Sequence, residues 1–351
     1  MSKKKVFTIG SATMDVFVEC DSANIVSVCK NDSSSSYMSY PYGAKLDMSN
    51  FSSKVGGGGV NTAMNFANLG YDTSAIFKVG DDIYYQGIME NFKNTSVKTD
   101  CMIQDETIST GFSIILVSFQ GDRTVLAHRG ANALIKIEDI CFDKLKEADW
   151  LYIAPLNGES NKVLEPLVNF AKENDIKVCF NAGTTSIKQG FEYMKHILES
   201  ADVVVMNKEE ASMCSGIKVR PDTKTVHYSD EELHPDVVEM LKKLKVSGNR
   251  IVVITDGGRG AYAYDGKEFY ICPVYESPVV STLGAGDAFA STFFASLKET
   301  GKDIGKSLMY ASVESSSVVS KFGATEGLIT FEQIKEKLKE TPNYTYKKLE
   351  L

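Results

Sequence analysis

Short apolar, β-branched runs alternate along the chain with longer stretches of helical period. The runs at 6–9, 75–79, 114–118, 150–153, 177–180, 203–206 and 251–255 predict strands, several of them apolar on both faces. Between them, apolar residues at helical spacing predict helices over 61–69, 84–92, 137–145, 162–173, 191–198, 236–244, 285–297, 304–320 and 331–338. This alternation predicts an α/β fold in which a mostly parallel sheet is covered by helices on both faces.

Two stretches break the pattern. Residues 15–54 contain extended pieces such as Val16-Phe17-Val18-Glu19 and the polar tract Asn31-Asp32-Ser33-Ser34-Ser35-Ser36, but no good helix. Residues 97–128 read as strands joined by turns, one of them at Gln120-Gly121-Asp122. Either stretch is extra β-structure projecting from the main sheet or a long surface loop. No internal repeat is visible, and the polar tail from Thr341 onward is expected to fray.

Composition narrows the function classes. A chain of 351 residues holds two domains or one large α/β unit, and 43% hydrophobic residues supply a core. With 38 basic against 46 acidic residues the formal charge is −8, which offers no bulk field for nucleic acid. The seven cysteines (Cys20, Cys29, Cys101, Cys141, Cys179, Cys214, Cys272) are scattered without a C-x-x-C pair. They suggest neither a disulfide framework nor a zinc site, and suit a reducing compartment. His128, His196, His227 and His234 form no metal-binding pattern. After the basic start, the apolar stretch 6–9 is too short for a signal peptide, and no run is long enough to span a bilayer. A soluble, cytoplasmic protein is expected, with no membrane partner.

The strongest chemical signal is Ser281-Thr282-Leu283-Gly284-Ala285-Gly286-Asp287-Ala288-Phe289, running into a helix. Glycines there let the backbone turn tightly and expose N–H groups at a helix start, an anion site. Asp287, in the first turn, could take a proton from a hydroxyl held near that anion, or simply complement the helix dipole. A second cluster, Gly56-Gly57-Gly58-Gly59-Val60-Asn61-Thr62-Ala63, opens another helix. It frees the backbone for close approach by a ligand, with Asn61 suited to a hydroxyl, or it serves as a hinge. It fits neither a Walker loop nor a dinucleotide fingerprint.

Weaker features complete the set. Asn207-Lys208-Glu209-Glu210 follows the 203–206 strand, where α/β sheets bind ligands, though a solvated helix start reads equally well. Thr255-Asp256-Gly257-Gly258-Arg259-Gly260 follows the 251–255 strand and also reads as a tight turn into a strand at Ala261–Tyr264. Asp15 lies just after the first strand, a common turn position.

Their order and co-occurrence resemble the ribokinase-like (PfkB) family of carbohydrate and nucleoside kinases over about residues 6–330. The G-A-G-D-A-F and G-G-x-G-x-N strings are its specific marks. The resemblance implies a three-layer α/β/α sandwich over 1–340 with a small β-sheet lid from about 15–55 and 97–128, followed by the tail 341–351. It implies ATP-dependent phosphoryl transfer with Mg²⁺, Asp287 as base, and Gly284, Ala285 and Gly286 as anion hole. By the same match, Asp15, Gly57, Gly58 and Asn61 bind acceptor hydroxyls. Asn207 and Glu210 organise magnesium and the triphosphate, Glu210 reaching the metal through water. Thr255, Gly257, Gly258 and Gly260 lie along the nucleotide.

Departures matter as well. Gly58 stands where ribokinase has a lysine, so ribose does not follow, and ribokinase's other acceptor-side acidic residue finds no placed counterpart on the Ala154–Ser160 segment. The Ser-rich tract lengthens the first lid segment beyond that of typical sugar kinases. Ser281 replaces the family's first aspartate in D-T-x-G-A-G-D, so little dependence on a monovalent cation is expected. A sugar is the favoured acceptor. A nucleoside is the alternative, because Phe17, Tyr37, Tyr40, Tyr42 and Phe112 could stack on a base, and a non-catalytic sensor is a third reading. A homodimer through exposed lid edges is expected.

Overall fold

Among the described residues the central sheet has nine strands. In spatial order they are Lys347–Leu349, Phe269–Cys272, Ala261–Tyr264, Ile251–Thr255, Val203–Asn207, Lys177–Asn181, Trp150–Ile153, Lys5–Ile9 and Asp72–Ile76. From Ile251–Thr255 to Asp72–Ile76 neighbouring strands run parallel; the three at the other edge are antiparallel. The computed structural model describes residues 3–30, 33–118, 123–220 and 233–349.

Alternate residues of these strands feed two cores. Phe7, Ile9, Leu151, Phe180 and Val252 pack on the helices Leu164–Glu173, Phe191–Ser200 and Pro235–Leu244. Val6, Tyr152, Val205 and Val253 pack on Ala285–Glu299 and Ile304–Val319. Burial on both faces explains the uninterrupted apolar runs and gives the expected three layers.

A second sheet of four strands, in the order Arg123–His128, Gly111–Val117, Thr13–Glu19 and Asn50–Gly56, forms the small lid. Asp15 and Phe17 share one of its faces with Ser113 and Ile115, which lie opposite them in register. Asn24–Lys30 and Ser33–Ser39 pair as a separate two-stranded hairpin, so much of the Ser-rich tract is strand. Residues 31–32 and the turn at 120–122 lie outside the described residues.

The structure corrects three expectations. The 137–145 segment is not one helix: a 3-10 turn at Ile137–Asp139 and a short helix at Phe142–Leu145 are separated by extended Ile140. Asp139 accepts from the Lys136 N–H and pairs with buried Lys78, which holds the chain out of helical register. The cysteines are not all unpaired, since Cys101 and Cys141 form a disulfide with Cα atoms 5.9 Å apart. The tail does not simply fray. Tyr344 donates to the Pro273 carbonyl at 2.7 Å, the Tyr346 ring covers Gly305, and Lys347–Leu349 joins the sheet edge.

Candidate active site

The carboxyl ends of the parallel strands meet two glycine-rich helix entrances. The helix Gly58–Asn68 begins after Gly57, whose φ of 97° is strained for any residue with a side chain. Ser11 holds this entrance: its hydroxyl accepts from the Gly58 N–H at 3.1 Å, and its carbonyl accepts from the Gly59 N–H at 3.0 Å. Gly59 lies on the backbone of Gly10, where an added Cβ would come within 2.8 Å.

The helix Ala285–Glu299 starts at Gly284, which adopts φ 76° and abuts Ala324. No side chain caps this helix; the Ala285 N–H reaches the Thr282 carbonyl at 3.5 Å, which leaves the Gly286 and Asp287 N–H groups for an anion. Nothing lies within 4 Å of a Cβ built on Gly286.

The two entrances meet at Asp287. Its Oδ2 accepts from Asn61 Nδ2 at 2.8 Å, and a Cβ on Gly58 would sit 3.4 Å from its Oδ1. Burial pushes the Asp287 carboxyl above the usual carboxylate range, and the Asn61 hydrogen bond partly offsets this. Asn61 Oδ1 is buried without a hydrogen-bond partner among the described residues, an acceptor suited to a bound hydroxyl.

Asp15 stands at the other end of the glycine run. An added Cβ on Gly56 would meet Asp15 Oδ2 at 2.1 Å. Burial raises the Asp15 pKa, while hydrogen bonds from Ser113 and Thr13 lower it. Gly56–Gly58 thus form a side-chain-free floor leading from one carboxylate to the other.

Two cavities share Thr255 and Gly286, and Asp287 lines the first. One of about 220 Å³ is lined by Asp287, Gly284, Gly286, Asn207, Glu210 and Thr255, together with Pro155 and Asn181. The second, about 240 Å³, shares Thr255 and Gly286 and extends over Ala285, Gly257, Gly258 and Gly260 to apolar Val274 and Val279. The residues expected from the G-A-G-D, N-x-x-E and T-x-G-G strings therefore share connected space.

Asn207 and Glu210 form a capping box on the helix Lys208–Ser215: Asn207 Oδ1 accepts from the Glu210 N–H at 2.8 Å, and Glu210 Oε2 accepts from the Asn207 N–H at 3.0 Å. Both readings of that string hold at once, because the helix start also lines the cavity. Burial raises the Glu210 pKa, with the Asn207 N–H acting against it. Carboxylate and amide oxygens of Glu210, Asn207 and Asn181 suit a hard cation that keeps most of its water. Among the described residues no group of three acidic, His or Cys side chains forms a metal cage.

Several residues were not foreseen. Asn181 ends a parallel strand, the position where the strand-end rule alone could have flagged it. Ser113 and Thr13 act through Asp15 and left no motif. Asn65, one turn beyond Asn61, donates to Ser291 Oγ and Thr292 Oγ1 at 2.8 Å each, one turn beyond Asp287. This polar ladder locks the two helices side by side and fixes where Asn61 meets Asp287.

A parallel sheet with a glycine-built anion site at its carboxyl edge, covered by a lid sheet, defines a ribokinase-like fold. The pfkB family carbohydrate kinase model matches residues 3–330, and the chain belongs to that family of ATP-dependent sugar kinases. A 5-dehydro-2-deoxygluconokinase of Listeria monocytogenes serotype 4b is 28% identical over 298 residues, covering 81% of this chain and 86% of that protein. The bifunctional ribokinase/ribose-5-phosphate isomerase A of Fructilactobacillus sanfranciscensis is 28% identical over 295 residues. That match covers 83% of this chain and spans about half, 51%, of the longer protein. Among solved structures, Arabidopsis thaliana ribokinase complexed with ribose and ATP superposes with a TM-score of 0.74 at 20% identity, over 97% of this chain and 99% of that one. No helix among the described residues is long and apolar enough to cross a membrane.

Proposed function

We propose that the protein transfers the γ-phosphate of ATP to a hydroxyl of a small sugar, with Asp287 accepting the proton of that hydroxyl. The observation that carries this reading is the meeting of Asp287 with free helix N–H groups, the Gly56–Gly58 floor and the open Asn61 Oδ1. Phosphoryl transfer needs positioning and charge neutralisation more than covalent chemistry. Asp15 and Asn61 hold acceptor hydroxyls over Gly57 and Gly58, while the amides at Gly284, Ala285 and Gly286 meet the phosphate in flight. The raised pKa makes Asp287 a better proton acceptor than an ordinary aspartate.

The nucleotide lies along Thr255, Gly257, Gly258 and Gly260, with its base toward Val274 and Val279. Glu210, through water, and Asn207 would hold Mg²⁺ with the triphosphate, and the ion would supply positive charge to the phosphates. Ser281 is buried, and its hydroxyl accepts from the Leu283 N–H at 3.3 Å. Glu314, raised to about 8 by burial, accepts from the Ile329 N–H through Oε1 while its buried Oε2 has no partner among the described residues, and Glu326 pairs with Lys54 at 2.9 Å. Ser281 brings no carboxylate to a cation site beside it, and we expect little K⁺ activation.

The aromatic residues that would stack on a nucleoside base are engaged elsewhere or exposed. Phe17 packs on Phe322 with centroids 4.5 Å apart, Phe112 on Tyr84 at 4.8 Å, the Tyr40 hydroxyl donates to Met38 Sδ at 3.1 Å, and Tyr37 and Tyr42 point to solvent. This favours a sugar over a nucleoside, and an intact Asp287 favours an enzyme over a sensor. The edge strand Arg123–His128 exposes Val125 and Leu126, which supports a homodimer through the lid, read out by sedimentation. We assign the activity to the cytoplasm, where ATP is supplied; the five free thiols fit that compartment, and the Cys101–Cys141 disulfide is the exception to it.

Phosphate transfer from ATP across a panel of sugars, sugar acids and nucleosides, in K⁺ and in tetramethylammonium buffers, tests the whole reading. A sugar or sugar acid turned over equally well in both buffers is the expected result. Turnover of nucleosides alone, or of nothing, contradicts it.

A further inference from the structure

The opposite edge of the sheet carries a larger cavity, about 610 Å³, that no catalytic residue touches. It opens where the parallel strands begin, beside Lys177, Val203 and Ile251, whereas the candidate active site lies at their carboxyl ends. Its wall is apolar: the rings of Trp150 and Phe294 meet with centroids 4.8 Å apart, and Leu297 continues the surface. Its rim is cationic, with Lys4, Lys177, Arg250, Lys298 and Lys302 around the opening.

On a chain of net charge −8 this clustering is unusual. Two carboxylates answer the five cations. Lys4 pairs with Asp149, while Lys177 and Arg250 share Asp202 at 3.8 and 3.2 Å. Lys298 lies 5.9 Å over the Tyr71 ring, and no ion pair to Lys302 occurs among the described residues. Five cations against two carboxylates leave a net positive charge that attracts a small anion, and the aromatic wall beside it suits an apolar or planar body.

We propose that this cavity binds an organic phosphate, its phosphate held by Lys298 and Lys302 and its apolar body laid against Trp150 and Phe294. Trp150 is the only tryptophan of the chain, so its fluorescence reports on this cavity directly. Phenyl phosphate is the probe, with inorganic phosphate and phenol as its two halves. A saturable change in Trp150 emission is expected with phenyl phosphate, at least about tenfold tighter than with either half. The double variant Lys298→Glu, Lys302→Glu should weaken it by about tenfold or more, roughly 1.4 kcal/mol. Both lysines are exposed on the rim, far from Asp287, so this variant should keep the basal kinase rate and thereby report its own folding. Absence of a saturable change overturns the proposal. So does a change that the charge reversal leaves in place, or equal affinity for inorganic phosphate alone.

Discussion

At the 56–59 entrance, added side-chain atoms on Gly57 and Gly59 would run into the backbone of Ser11, Ala12 and Gly10; at the 284–286 entrance, Gly286 looks into open space. The first set of glycines is spent on packing: backbone touches backbone, and the helix is pinned beneath the lid. At the second entrance Gly284 serves the turn, while Gly286 leaves a cavity empty and helix N–H groups uncovered. Similar glycine strings thus do different physical jobs. Asp287 is placed by both, because its carboxylate comes from the second helix and its hydrogen bond from the first.

Substitution separates the two jobs. Gly59→Ala is expected to have the largest effect, on stability: its Cβ meets Gly10 backbone atoms that cannot move aside. A loss on the order of 3 kcal/mol is expected, at the upper end of overpacking costs, read as a lowered urea midpoint. Gly286→Val should do the reverse. Its midpoint stays near the parent's while turnover falls about tenfold or more, roughly 1.4 kcal/mol, because the side chain fills the cavity. A destabilised Gly286→Val or an unaffected Gly59→Ala would erase the distinction. The smallest effect should come from Asn65→Ala, which removes a rung between the two helices. About 1 kcal/mol of stability is expected to go. Turnover should fall severalfold while the KM for ATP holds, since Asn65 lines neither nucleotide cavity.

The sequence pattern foretold the strands Ile251–Thr255 and Ala261–Tyr264 residue for residue, because burial on both faces leaves an uninterrupted apolar signal. It also drew attention to both glycine entrances. What it missed depends on partners distant in the chain. The break at 137–145 is made by Lys78 and by the Cys101–Cys141 bond, neither visible in a local window. The tail looked unstructured because its anchors, Tyr344 and Tyr346, bury rings while keeping a polar tip. Asn65 was silent because a buried amide announces itself only through what it bonds. The Lys/Trp cavity was likewise out of reach, since Lys4, Trp150, Lys177, Arg250 and Lys298 converge only once the parallel strands stand side by side.

The central claim is that Asp287 takes the proton of the attacking hydroxyl. Its most direct test is the initial rate of transfer by Asp287→Asn with the best acceptor, alongside the parent enzyme. The carboxamide keeps the shape and the neighbourhood of Asn61 but cannot accept a proton. Turnover should drop about 10²–10⁴-fold with ATP binding and the urea midpoint nearly unchanged. In the parent, activity should fall on the acid side through a pKa above the ordinary aspartate range, as burial of this carboxyl dictates. Near-parental turnover by Asp287→Asn would contradict the account.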